Sequence, residues 1–192
     1  MARASNNSCD EILEQRLVAD IGSGDKDALR TLYQRYDSKL GSFLRQRLFS
    51  ETLADEAYND VMYVVWNKAA EFKQRSKVST WIFGIAYRVS LANSRKELKH
   101  VSQQSDTDYA SVAELQESDA SQALRGVLHE LSTDHRATIE LAYYYGFSMD
   151  EIAQITETPS NTVKTRLFHA RKHLKKAMER ELDLNQPVSS DE

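Results

Sequence analysis

The stretch from Ser148 to Lys176, "SMDEIAQITETPSNTVKTRLFHARKHLKK", leaves few ways to fold. Its opening "SMDE" fits a capping box: Ser148 can accept the Glu151 amide while the Glu151 carboxylate reaches back to the Ser148 amide. Ile152 and Ile155 give the helix an apolar face, and Ala153 lets a neighbouring helix approach closely. "TETP" then predicts a turn, with Thr158 as a second N-cap and Pro159 at the first helical position, where a missing N–H costs nothing. The last helix runs from Pro159 past Lys176. A short helix, a tight turn and a longer helix make a helix-turn-helix.

Charge is segregated along this motif. Asp150, Glu151 and Glu157 precede the turn, whereas Lys164, Arg166, Arg171, Lys172, Lys175 and Lys176 follow it with no acid between them. At about 100° per residue, Val163, Leu167, Ala170 and Leu174 share one face, which must pack inward. Asn161, Thr165, Phe168 and Lys172 lie nearly opposite, flanked by Lys164 and His169. Such an outer face suits a major-groove reader. Lys172, Lys175 and Lys176 are placed to meet phosphates.

The rest of the chain agrees with an all-α fold. Six Gly and two Pro in 192 residues are few, which favours helices over turn-rich sheet. Ile12, Leu13, Leu17 and Ile21 recur at helical spacing, and "GSGDKDA" breaks the pattern with Ser23 or Asp25 as a cap. Leu29, Leu32, Tyr33, Tyr36, Leu40, Phe43, Leu44 and Leu48 form a long stripe. A third helix starts near Thr52, and its "VMYVVW" is β-prone only locally. The polar, basic loop "KQRSK" leads into a fourth helix over "STWIFGIAYRVSLANSRKELK". Further on, "ALRGVLHEL" forms one helix and "STDHRATIELAYYYG" the next, with Ser132 as N-cap and Gly146 as the stop.

Between these two helical parts, residues 101–123 hold five acids and no base, in a Ser-, Gln- and Asp-rich context with weak apolar periodicity. This is expected to be a flexible acidic linker. The expected layout is therefore a domain over 1–100, a linker over 101–123, a helix-turn-helix domain over 124–180 and a disordered tail over 181–192. Residues 1–100 are net +3, although the whole chain is net -4.

Several classes of function are disfavoured. The lone cysteine, Cys9, stands in a polar N-terminal tail, so neither a disulfide framework nor a multi-cysteine zinc site is available. No apolar stretch resembles a signal peptide or spans a bilayer, so a cytoplasmic protein without membrane insertion is expected. His169 and His173 stand four apart but have no acids on their face to complete a metal site. No catalytic set is visible. The expectation is a non-enzyme without cofactor or metal.

The C-terminal half resembles the promoter-binding domain of bacterial RNA polymerase sigma factors. The residues that carry the resemblance are Leu131, Arg136, Glu140-Leu141, Tyr144, Gly146, Ser148, Glu151-Ile152-Ala153, Thr162-Val163-Lys164, Arg166, Ala170-Arg171 and Leu174. In the N-terminal half, Ala54 to Met62 looks like the polymerase-binding helix of the sigma core domain. "KVSTWIFGIAYRVSLANSRK", with Trp81, Ile85, Ala86 and Arg95 in register, looks like the helix after it. With no third domain between the two, the layout is similar to the extracytoplasmic-function class.

That resemblance implies an alternative sigma factor that binds core RNA polymerase and promoter DNA, and it admits an anti-sigma protein as a partner. It implies −35 contacts from Asn161, Lys164, Thr165, Phe168, His169 and Lys172. It implies −10 contacts from Lys73, Arg75, Lys77, Trp81, Arg88, Arg95 and Lys96, where cations and an aromatic can hold a single strand. Asn59 and Asp60 would meet the polymerase, and the acidic linker would thread near the RNA exit path. Four positions depart from the family pattern: Arg88, Ala92, Glu157 in place of the turn glycine, and His169 in place of a frequent basic residue. The competing reading is a freestanding helix-turn-helix regulator, which would need neither the Asn59/Asp60 helix nor the basic loop.

Overall fold

The computed structural model describes residues 2–48, 50–101 and 131–184, with side chains over the same ranges apart from 2–8, 96–101 and 181–184. The described residues are helical and contain no strand. Four helices make the first of two compact units: α1 (Ala2–Gly22), α2 (Lys26–Arg45), α3 (Glu51–Lys68) and α4 (Val78–Val101). A single 3-10 turn, Ala69–Glu71, follows α3. The second unit carries α5 (Thr133–Ile139), a π-helical turn (Glu140–Tyr144), α6 (Met149–Thr156) as far as Ala153, and α7 (Ser160–Leu184).

Local chemistry fixes the starts of the helices. Asp25, rather than Ser23, caps α2 by accepting the Asp27 and Ala28 amides at 2.8 and 3.1 Å. Ser50 caps α3, so "VMYVVW" continues a helix already nucleated upstream. The core of the first unit is the expected stripe: Leu32, Leu40, Phe43 and Leu44 are fully buried with Val61, Ile82 and Phe83. Phe43 and Phe83 meet edge to face at 5.3 Å. Gly22, at the end of α1, lets the chain pass against the 3-10 turn, because a Cβ there would stand 3.0 Å from the Ala70 backbone.

The first helix departs from expectation. It begins at Ala2, so Cys9 stands exposed on α1 rather than in a tail. Leu17, Val18 and Ile21 are buried, but Ile12 and Leu13 are exposed at 65% and 42%. The upstream half of α1 is held by polar contacts instead. Arg35 pairs with Asp10 at 2.7 Å and Glu14 at 3.0 Å, and Tyr36 Oη donates to Glu14 at 2.8 Å. The hydrogen bonds to Asp10 and Glu14 hold the Arg35 pKa above its ordinary value. Burial, with Glu14 alongside, pushes the Tyr36 hydroxyl well above the usual range, so it stays a donor at any physiological pH.

In the second unit, Ser132 caps α5 through the His135 amide, and Gly146 ends the π turn at φ +73°. The capping box of Ser148 and Glu151 is formed, with amide-to-side-chain distances of 2.8 and 3.3 Å. Glu157 takes the left-handed conformation at φ 52°, ψ 40°, so the turn keeps its shape without glycine. The Thr158 amide is drawn back to the Ala153 carbonyl at 3.0 Å. Pro159, not Thr158, therefore stands at the cap of α7: its carbonyl accepts the Thr162 and Val163 amides. Ser160 Oγ donates to Asp150 at 2.9 Å and ties α7 to α6.

α7 runs to Leu184, beyond the boundary expected at 180, through good helix formers and a Lys175–Glu179 pair at 3.8 Å. The expected linker after Val101, the "ALRGVLHEL" helix apart from Leu131, and residues 185–192 lie outside the described residues.

The two left-handed positions should respond to substitution in opposite directions. A non-glycine residue there costs about 1–2 kcal/mol, partly offset by the looser unfolded chain that a glycine brings. Glu157→Gly should therefore stabilise the second unit by roughly 0.5–1 kcal/mol, and Gly146→Ala should destabilise it by about 1 kcal/mol or more. Scanning calorimetry of the full chain checks both signs. A loss of stability in Glu157→Gly would mean that the glutamate side chain outweighs the strain of its backbone.

Candidate nucleic-acid interface

The outer face of α7 is set by what its inner face buries. Val163, Leu167 and Ala170 are buried, Leu174 is half-buried, and Ala177 carries the stripe one turn further. Asn161, Lys164, Thr165, Phe168, His169 and Lys172 are all exposed, so the structure gathers the whole expected set on one side of one helix. Phe168 is 63% exposed, with its ring edge-on to that of His169 at 5.5 Å. The Thr165 hydroxyl donates to the Asn161 carbonyl one turn earlier at 3.0 Å.

Two cations beside this face are committed elsewhere. Arg166 is half-buried and ion-pairs with Asp134 of α5, so it braces the helix against its neighbour. Arg171 stands over the Tyr143 ring at 5.3 Å, where the π turn has left that tyrosine exposed. His135 of α5 lies edge-on to His169, with 6.4 Å between ring centroids. Nothing in the helical period of the sequence joins His135 to His169, because the contact depends on how α5 crosses α7.

In the first unit, Lys73, Arg75 and Lys77 are exposed on the loop before α4. Gln74 among them sits at φ 54°. The loop is fixed at both ends. Trp81 is half-buried with its ring 4.8 Å from that of Phe72, a tilted stack that closes the base of the loop. The Val78 amide, at the start of α4, donates to the Glu11 carboxylate of α1 at 3.2 Å. A carboxylate there also suits the positive end of the α4 dipole. This tie was invisible in the sequence, since its partners stand 67 residues apart.

Trp81, Arg88 and Arg95 recur every seven residues, which keeps them on one slowly turning stripe of α4. Arg88 and Arg95 are exposed. They stand about 10 and 21 Å from Trp81 along the helix axis. Lys96 is on the same helix, with its side chain outside the described set. On α3, Asn59 and Asp60 are exposed, and the Tyr33 hydroxyl donates to Asn59 Oδ1 at 3.4 Å. Tyr33 packs edge-on against Tyr58, whose own hydroxyl donates to the Tyr33 carbonyl at 2.6 Å. Tyr63, one turn beyond Asn59, is 68% exposed.

Among the described residues no group of three His, Cys, Asp or Glu side chains could hold a metal, and no helix is long and apolar enough to cross a membrane. What the geometry offers is two cationic surfaces carried by rigid helices. One has side chains able to hydrogen-bond base edges, and the other has a loop with an aromatic beside it.

Comparison with known proteins agrees with this division. Residues 32–99 match the sigma-70 region 2 family, and residues 121–174 match the sigma-70 region 4 family. The ECF RNA polymerase sigma factor RpoE of Cereibacter sphaeroides is 32% identical over 161 residues, covering 80% of this chain and 88% of that protein. The sigma factor RpoE of Bartonella quintana, solved with the anti-sigma factor NepR, superposes with TM-score 0.66 at 24% identity, over 81% of this chain and 98% of that one. CnrH, solved with the cytosolic domain of CnrY, gives TM-score 0.64 at 22% identity, over 91% and 99%. Both structures share the fold. With both family regions in order along the chain and a relative similar over most of its length, this protein belongs to the extracytoplasmic-function class of sigma factors, alternative sigma factors that direct promoter-specific transcription with core RNA polymerase.

Proposed function

We propose that the two helical units divide promoter recognition between them. The unit formed by α5–α7 reads the −35 element in the major groove through Asn161, Lys164, Thr165, Phe168 and His169, with Lys172 on a phosphate. The α1–α4 unit engages the −10 element: Lys73, Arg75 and Lys77 attract the opening strand, Trp81 offers a stacking surface, and Arg88, Arg95 and Lys96 track the backbone. Asn59 and Asp60 on α3 form the polymerase contact, with the 101–123 segment linking the two domains.

The observation that carries this reading is the sorting of α7 into a largely buried apolar stripe and an exposed face of polar, cationic and aromatic side chains. The same division makes the chain a specificity subunit and leaves RNA synthesis to the polymerase, so the chain is not itself an enzyme and works in the cytoplasm, where its DNA is. An anti-sigma protein is a partner of the same kind as the one that accompanies the Bartonella quintana relative.

Two sets of variants test the assignment in reconstituted transcription with core polymerase. Lys164→Ala, Thr165→Ala, Phe168→Ala and His169→Ala should each relax the preference at a −35 position, by about 1–3 kcal/mol for a good base contact. Lys172→Ala should weaken all promoters alike and lower the salt slope by about 1. Transcription from templates randomised at the −35 element reads both effects. If all four outer-face variants fold and keep the wild-type base preference, the reading face has been put on the wrong side of α7.

The triple variant Lys73→Ala, Arg75→Ala, Lys77→Ala should leave −35 binding intact but impair strand opening, because those charges meet the phosphates of the melted segment. Permanganate reactivity of unpaired thymines measures this directly. Wild-type reactivity in the triple variant would reduce the loop to solvated charge.

A further inference from the structure

α2, α3, α5 and α6 each start from an Asp or Ser whose side chain accepts the helix's own first amides. α4 does not. The residue before it is Lys77, whose carbonyl accepts the Trp81 amide at 3.1 Å and which therefore stands at the cap position. A lysine side chain has no acceptor to offer, and its cation opposes the positive end of the helix dipole. The first turn of α4 holds no acid either. The acceptor comes from another helix. Glu11 of α1 takes the amide of the fully buried Val78 at 3.2 Å. Gln15, one turn further along α1, donates to the same Glu11 oxygen at 3.3 Å and holds it in place.

The same helix meets the other end of the basic loop. Gly22 closes α1 so near the 3-10 turn that a Cβ there would stand 3.0 Å from the Ala70 backbone. The Phe72 amide after that turn bonds back to the Ala69 carbonyl at 3.1 Å. Glu11 and Gly22 stand about 16 Å apart along the axis of α1. That length sets the span between the two ends of the loop, and the stack of Phe72 on Trp81 closes it. Gln74, within the loop, sits at φ 54°. A non-glycine residue keeps that conformation only where its surroundings impose it. The loop that carries Lys73, Arg75 and Lys77 therefore has an imposed shape.

We infer that Glu11 is a positioning residue for strand opening: by supplying the cap that α4 lacks, it sets where the basic loop and Trp81 stand. The inference rests on the reading of that loop as the one that meets the opening strand. A Ser or Asp at position 77 would cap α4 locally and remove a cation from the loop. Delegating the cap to α1 keeps both the helix start and the cation. Without the Glu11 oxygen the buried Val78 amide loses its acceptor, which is costly for a group out of reach of water. The first turn of α4 then unwinds to find another partner. Lys77 leads that turn and Trp81 closes it, so both move.

The test is permanganate reactivity of a promoter opened by reconstituted holoenzyme, with binding to core polymerase and to the −35 element followed alongside. Glu11→Ala should lower the reactivity by roughly threefold or more, as expected when a hydrogen bond to a charged group is lost, and leave both binding measurements unchanged. Two conservative variants separate the cause. Glu11→Gln keeps the accepting oxygen and its reach, and should open the promoter as wild type does. Glu11→Asp keeps the charge but withdraws the oxygen by one methylene, and should be impaired. Normal opening in Glu11→Asp overturns the inference. So does impaired opening in Glu11→Gln, which would make the charge of Glu11 the cause and not its bond to Val78. The loss caused by Glu11→Ala should also shrink in the background Lys73→Ala, Arg75→Ala, Lys77→Ala, because the charges that Glu11 positions are gone. A full additive loss there contradicts the positioning role. If that triple variant itself opens the promoter normally, the reading of the loop fails and the inference with it. An impaired triple variant beside a normal Glu11→Asp removes only the role of Glu11.

Discussion

The burial of Val163, Leu167, Ala170 and Ala177 along one side of α7 is the constraint on which the interface depends. A helix can present a surface only as precisely as its opposite side is seated. Here the seat is made of small and branched apolar groups that bring α7 close to its neighbours. Polar contacts then fix the roll and the entry angle. The Arg166–Asp134 ion pair braces α7 against α5, and Ser160 with Asp150 closes the turn from α6. Glu157 holds that turn in the left-handed region, so the geometry usually given to glycine is retained under strain. Truncating Leu167 would cost about 2–5 kcal/mol of folding free energy, so its effect on promoter binding would come through the loss of this seat.

The first unit uses a different device. Its basic loop is short and exposed, and such segments are ordinarily the most mobile part of a domain. Carboxylates of α1 hold the surrounding structure: Glu11 takes the first amide of α4, while Asp10 and Glu14 hold Arg35 and Tyr36 of α2. The exposed ion pairs among these are individually worth little. They join α1 to α2, and the Glu11 bond joins it to the helix that carries Trp81, Arg88 and Arg95. The acidic total of the chain fits this arrangement, because negative charge distributed elsewhere discourages indiscriminate DNA binding and the local cations act where the helices aim them.

The sequence made legible whatever is decided within one or two helical turns. The capping box at Ser148, the cap at Ser132, the stop at Gly146 and both faces of α7 follow from residue type and the 3.6-residue period, whereas the choice of Asp25 over Ser23 as the cap of α2 came from the structure. The α1 stripe misled because periodicity shows which residues share a face but not how far a neighbour covers it. Ile12 and Leu13 share the period of Leu17 and Ile21 yet lie beyond the packed segment. The one-residue shift at Pro159 arose because Thr158 was drawn back toward Ala153, a competition between two helix ends that residue preferences do not resolve. The His135–His169 contact and the Glu11 tie to Val78 join residues far apart in sequence, and only the packed helices bring them together.

The central claim is that two modest DNA-binding surfaces act together once core polymerase fixes their spacing. Holding two linked modules in register can raise avidity by about 10²–10⁴ without a new contact. The most direct measurement is a gel-shift titration of one promoter duplex with the free chain and with reconstituted holoenzyme at the same salt concentration. The account predicts binding by the holoenzyme that is tighter by at least about 10², with the free chain showing weak, strongly salt-sensitive binding. A free chain that binds the duplex as tightly as the holoenzyme would contradict the account.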